Sequence, residues 1–230
     1  PLLGDGSVLT GASVQTGYDK VHRDTLKWVR ESADALRPWV VANDEQGPAG
    51  LGVPPDPGYE GFSGKAEHDG TRYGREEIRR LTLWGNLMAG GAGVEYYFGY
   101  RLPQNDLVCE DYRSRDQVWD DCRTAINFFH EHKIPFQIMS NANELVGNPE
   151  NRNDLPWCLR QKGEVYLVYL PGGTGCRLAL PGGAAEWKRV TLDPATGETE
   201  TSAVSPTESG IALSADEGED RVVLLREAED

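Results

Sequence analysis

Basic residues are in short supply. Lysine and arginine together number 23 against 37 aspartates and glutamates, a net charge of −14. Nucleic-acid phosphates are held by clustered Lys and Arg, so this deficit argues against a nucleic-acid partner. It argues equally against an anionic membrane surface and leaves neutral ligands such as sugars open. Long apolar runs are also missing. None approaches the ~20 residues of a membrane span, so no membrane partner is expected. The N-terminus carries neither a signal peptide nor a Met, which reads as a processed chain or a fragment. Cysteine is limited to Cys109, Cys122, Cys158 and Cys176, none in a CxxC pair, so a zinc site is not expected. They are either buried free thiols or Cys109–Cys122 and Cys158–Cys176 bridges in an exported protein. There is no Ser-His-Asp order, Walker loop or Rossmann glycine pattern. "GGAGVEYYFG" is Gly-rich but precedes a strand, the wrong context for phosphate, and no cofactor or metal is expected.

What is present alternates strand and helix. "VLTGASVQTGY" reads as a strand with Gln15 at its polar end. "DKVHRDTLKWVRESADALR" reads as a helix with Asp19 as N-cap, a stripe of Val21, Trp28, Val29, Ala33 and Leu36, an exposed His22, and a stop at Pro38. "PWVVANDEQ" is β-branched and apolar, suited to a strand buried on both faces. A Gly- and Pro-rich loop of the length found between 47 and 74 is functional or disordered. "REEIRRLTLWGNLMAG" is a second helix and "GAGVEYYFGY" a third strand. "SRDQVWDDCRTAINFFHEHK" is a third helix, opened by a Ser114–Gln117 capping box, with Val118, Cys122, Ile126 and Phe129 on its buried face. Such alternation predicts a parallel α/β unit. From about Ile134 short alternating segments recur at roughly ten-residue spacing, with "DPATGE" as a turn, the pattern of an antiparallel β-sandwich. Two domains follow, 1–133 and 134–230.

Polar residues at the C-terminal ends of parallel strands collect into active sites. Asn43, Asp44, Glu45 and Gln46 lie at one such end; Glu95, Tyr96 and Tyr97 lie near the next, and Gln15 ends the previous strand. Carboxylates with carboxamides and aromatic faces suit carbohydrate chemistry, and a solvated turn is the plainer account of the same residues. Asp44 and Glu45, adjacent on an extended strand, are expected on opposite sides, so a partner carboxyl must come from another strand. His68 and Asp69 in the long loop face either a substrate or bulk water. His130, Glu131 and His132 are too closely spaced on a helix to share a metal; His130, His132 and Lys133 suit the helix dipole instead. Trp28, Trp84 and Trp119 read as core.

The run "REEIRRLTLWGNLMAGGAGVEYYFGY" resembles the segment around the last barrel strand of apiosidase-like glycoside hydrolases, and "WVVANDEQGPA" is similar to the strand before it. "GEVYLVYLPGG" with "VTLDPATGE" resembles the C-terminal β-sandwich labelled collagen-binding in those proteins. The resemblance implies α/β plus all-β: about the last three βα units of a (β/α)8 barrel, then the sandwich. It matches Glu45 to the nucleophile and Tyr96 to the strand-eight tyrosine. It implies a secreted or periplasmic retaining glycosidase acting on a carbohydrate substrate, with collagen or polysaccharide as a partner of the sandwich. The acid/base on barrel strand four has no counterpart here, so this stretch alone is expected to be inactive. The other reading is a non-catalytic collagen- or carbohydrate-binding protein on a degenerate scaffold.

Overall fold

The computed structural model describes residues 2–68, 70–180 and 186–227. Asp69 and the tail beyond residue 227 lie outside the described residues. Internal contacts divide the chain into two compact units, residues 1–123 and 124–230. The division falls inside the helix Asp116–Glu131, whereas the sequence pattern placed it between 133 and 134.

In the first unit, β1 (Gly11–Thr16) and β2 (Val40–Gln46) run parallel. The hairpin β3 (Lys65–His68) and β4 (Thr71–Gly74) leads toward β5 (Gly93–Val94), which pairs parallel with the other edge of β2. The order is β1-β2-β5, and the described residues form no closed barrel. Only one face of β2 is buried. Val41 and Asn43 are covered, Ala42 and Asp44 are half-covered, and Val40 is 65% exposed, so the two-sided burial read from its apolar run is not found. The third strand is far shorter than its β-rich sequence suggested. After Val94 one further bond joins it to β2, Glu95 N to Asn43 O at 2.9 Å, and then Tyr97 O accepts from Val53 N at 2.6 Å, tying the chain to the preceding loop instead.

Helix Val21–Asp34 crosses from β1 to β2. Its buried side is Val21, His22, Thr25, Leu26 and Ser32, while Ala33 and Leu36 are exposed. The stripe is rotated from the apolar expectation because the polar members have partners. His22 Nδ1 meets Gly85 O at 3.0 Å, Asn86 Nδ2 donates to Thr25 Oγ1, and Ser32 Oγ accepts Trp39 N at 3.0 Å. His22 is thus a core residue rather than an exposed one. Residues 75–88 form the second helix, with a π-helical run at Ile78–Trp84 between α-helical turns. Gly90, at φ +81°, ends it.

The third helix shows the same kind of correction. Val118, Asp121, Ala125 and Phe128 are buried and Ile126 is 55% exposed. Asp121 sits inside because Arg75 clasps it with two bonds, 2.7 and 2.9 Å, with Arg79 3.8 Å away. The helix is capped by Asp56, whose carboxylate accepts Gln117 N at 2.9 Å; Ser114 instead accepts Arg115 Nη1. The 47–74 loop is packed. Val53 joins Tyr18, Tyr73, Ile78 and Phe98 in the core, and buried Arg115 bonds Val53 O and covers the Phe98 ring at 4.4 Å.

The second unit contains β6 (Ser140–Asn141), β7 (Trp157–Gln161), β8 (Val165–Leu170), β9 (Gly175–Leu178), β10 (Trp187–Leu192), β11 (Thr199–Val204), β12 (Ile211–Ser214) and β13 (Arg221–Glu227). Six form an antiparallel sheet, β11-β10-β13-β8-β7-β6, and β12 pairs with β9 separately. Leu178, Ile211 and Leu213 of the small sheet share a core with Tyr166, Val168, Trp187 and Val223 of the large one. β10 turns into β11 through "DPATGE", where Asp193 Oδ1 accepts from Ala195 N and Thr196 N and Gly197 supplies φ +80°. All four cysteines are free thiols.

Candidate functional site

The geometry of the β2 end is set by a register irregularity. Val14 pairs with Asn43 and Gln15 pairs with Glu45, so Asp44 is an extra residue without a partner on β1. An extra residue breaks the strict alternation of side chains. Asp44 and Glu45 both line one cleft, with Asp44 half-buried and its Oδ1 enclosed while Glu45 is exposed. Glu45 is exposed at its mouth, and Gln15, also exposed, is its neighbour on β1.

The cleft, about 380 Å³, is lined by Asp44, Glu45, Glu95, Tyr96, Tyr97, Tyr100, Asp106 and Leu107. Four carboxylates and three tyrosines therefore converge, with no basic side chain among them. Tyr97 donates its hydroxyl to Ala49 O, and its ring meets Tyr100 edge-on at 5.7 Å. Burial raises the Tyr97 pKa, followed by its bond with Tyr100 and the charges of Asp106 and Glu45. Tyr100 is 54% exposed and offers the most accessible ring of the three. Asp106 closes the loop by accepting Phe98 N at 3.1 Å.

Not every residue singled out in the sequence reaches this cleft. Asn43 and Gln46 are fully buried. Asn43 Nδ2 donates to Val14 O at 2.7 Å, and Gln46 Nε2 donates to Glu95 O at 2.7 Å and Asn43 O at 3.2 Å. These amides pin β1, β2 and the segment after β5 together and are enclosed rather than open to the cleft. The acceptor oxygens Asn43 Oδ1, Asp44 Oδ1 and Gln46 Oε1 are buried without a partner among the described residues. Tyr96 lines the cleft, yet its hydroxyl accepts from Cys122 Sγ at 3.8 Å and its ring lies against Trp119 at 5.8 Å. Burial first, then Cys122, pushes its pKa up. That hydroxyl is engaged within the core.

His68 belongs elsewhere. With Tyr18, Arg72 and Tyr73 it lines a separate, larger cleft of about 560 Å³ that contains none of the strand-end carboxylates. Tyr100 and Asp106 are the residues that sequence reasoning missed. Gly99 between the two tyrosines was the available signal. Its φ of +68° and its approach to the Leu51 backbone, where a Cβ would sit 2.6 Å away, turn the chain back over the cleft. Trp157, Tyr166, Tyr169 and Trp187, the aromatics that a sugar-stacking face on the second unit would use, are all buried. Among the described residues no group of His, Cys, Asp and Glu is arranged to hold a metal ion, and no helix is long and apolar enough to cross a membrane.

No family model matches the sequence, and no curated protein matches it. Solved structures do. A glycoside hydrolase family 5 protein from Bacteroides vulgatus ATCC 8482 superposes with TM-score 0.63 at 17% identity, covering 89% of this chain and 45% of that one. The fold is glycoside-hydrolase-like. A second structure, described as a glycoside hydrolase, gives TM-score 0.55 at 14% identity over 90% of this chain and 47% of its own. The chain thus spans less than half the length of either neighbour. At these identities the likeness concerns the fold alone.

Proposed function

We propose that this chain forms the last strands of a retaining glycoside hydrolase of the apiosidase-like type, exported from the cytoplasm, with Glu45 as the nucleophile. The observation that carries this reading is the extra residue at Asp44, which delivers Glu45 to the mouth of a carboxylate- and tyrosine-lined cleft at the end of a parallel sheet. A carboxylate so placed can attack an anomeric carbon, provided a second carboxyl stands ~5–5.5 Å away to protonate the leaving oxygen. Tyr100 and Tyr97 offer ring faces for a sugar, while Asp44, Glu95 and Gln15 accept or donate to its hydroxyls.

In this proposal further strands complete the sheet, cover the exposed face bearing Val40 and bring the acid/base. The residues described here are therefore inactive by themselves. The substrate class is a polysaccharide or glycan, and a cleft that holds four carboxylates and no basic side chain suits an uncharged stretch of it.

The test is Glu45→Gln in the full-length parent enzyme. Turnover should fall by roughly a thousandfold or more, while oligosaccharide binding, read by calorimetry, persists. Activity within a few-fold of wild type would remove Glu45 from the mechanism.

A further inference from the structure

Lys188 and Arg226 face each other directly on the β10–β13 ladder. Like charges directly opposite on an antiparallel pair repel and destabilise the sheet. The arrangement is the more conspicuous in a chain of net charge −14. Directly after the helix Asp116–Glu131, His132 and Lys133 come to the same place, and with Glu131 they line a concavity of about 260 Å³ floored by Val190 and Leu224. Lys133, Lys188 and Arg226 against Glu131 leave a local charge of +2 when His132 is neutral. Burial first, then the charges of Lys188 and Arg226, hold the His132 pKa below its usual value, with Glu131 opposing them.

Arg226 cements the arrangement. Its Nη2 donates to His132 O at 2.7 Å and to Lys133 O at 2.6 Å. Its Nε is buried with no acceptor among the described residues. Lys133 is held at φ +45°, a left-handed conformation that side-chain-bearing residues adopt at a cost. A like-charged cross-strand pair and a third cation, Lys133, thus line one apolar-floored hollow. An anion seated there offsets the repulsion among these cations.

We propose that this hollow binds the sulfate or carboxylate group of an acidic glycan, held by Lys133, Lys188 and the Arg226 guanidinium over the Val190–Leu224 floor. The anion site stands on the local geometry; the choice of a glycan as its carrier rests on the functional reading above. The acidic chain as a whole repels polyanions, so binding must be local to this pocket.

The whole chain is titrated by calorimetry with a sulfated tetrasaccharide, an oligogalacturonate of the same length, a neutral cello-oligosaccharide and inorganic sulfate. The acidic sugars should bind with an affinity that Lys188→Gln lowers, whereas any binding of the neutral one should not respond to that change. Lys188→Gln and Lys133→Gln should each weaken binding about tenfold, the loss of one charge-assisted hydrogen bond, and Lys188→Arg should restore it. Lys188→Gln should also raise the ligand-free Tm, since it removes one of two opposed charges. No binding of any acidic probe, or equal affinity in Lys188→Gln, would overturn the site. Inorganic sulfate binding as tightly as the tetrasaccharide would overturn the glycan assignment. Glu45→Gln, remote in sequence and in another unit, should leave these affinities unchanged, which separates a failure here from a failure of the nucleophile.

Discussion

Acidification should weaken the first unit, and the size of the effect follows from how His22 is buried. Its ring is 1% exposed on the inner side of helix Val21–Asp34, and Nδ1 lies 3.0 Å from Gly85 O. Burial lowers its pKa from 6.5 to about 4; the Gly85 bond opposes the shift and Arg30 adds to it. Because the folded-state value is the lower one, the unfolded chain takes up the proton first, and stability falls as pH drops from about 6.5 toward about 4. A gap of about 2.5 pH units at 1.36 kcal/mol each is worth about 3.4 kcal/mol in total, of which about 2 kcal/mol is lost by pH 5. Above pH 7 the residue contributes no slope. The assay is urea unfolding of wild type and His22→Gln at several pH values from 7.5 to 4.5, followed by amide exchange in the first helix so that the two units are read separately. Glutamine keeps a donor for Gly85 O and removes the titration. Subtracting the two profiles cancels His132, whose value is also lowered by burial. Equal slopes in the two proteins would show that His22 is not buried as a neutral ring and would refute the reasoning.

The remaining predictions concern packing and charge. Asp121→Ala should cost about 3 kcal/mol, because it strands Arg75 and the nearly buried Arg79 without the carboxylate both approach; a loss under 1 kcal/mol in chemical denaturation would deny that the pair is buried. Gly47→Ala should destabilise by about 2 kcal/mol, since residue 47 sits at φ +82° and a Cβ would lie 2.2 Å from the Tyr18 ring; an unchanged Tm would mean that the turn is placed differently. Under the glycosidase proposal, Tyr100→Ala in the active enzyme should raise KM severalfold with a smaller effect on kcat, and an unchanged KM would remove the ring from the cleft's binding surface.

How much was legible in the chain itself depends on how far each feature reaches. The order strand, helix, strand, helix, strand was readable from local periodicity, and so was the "DPATGE" turn, whose Asp193 and Gly197 act within six residues. Gathering Glu45 with Glu95 and Tyr97 at one rim was also readable, because parallel strands place their C-terminal ends together. The helix faces were not. Apolar spacing chose Ala33 and Ile126, yet the buried positions are His22, Ser32 and Asp121, each admitted by a partner from another element: Gly85 O, Trp39 N and Arg75.

The roles within the site divide in the same way. Composition and pattern determined an acidic, two-part chain with carboxylates and tyrosines at strand ends. The tertiary structure alone decided which of them stay exposed at the cleft and which are buried. The extra residue at Asp44 broke the pairing with β1, hydrogen bonds to Val14 O and Glu95 O withdrew Asn43 and Gln46 into the interior, and Cys122 took the Tyr96 hydroxyl. It also set Lys188 against Arg226 across a ladder joining residues far apart in sequence. Periodicity reports what a residue is, but burial and orientation depend on which distant groups satisfy it, and those partners are chosen only when the chain folds.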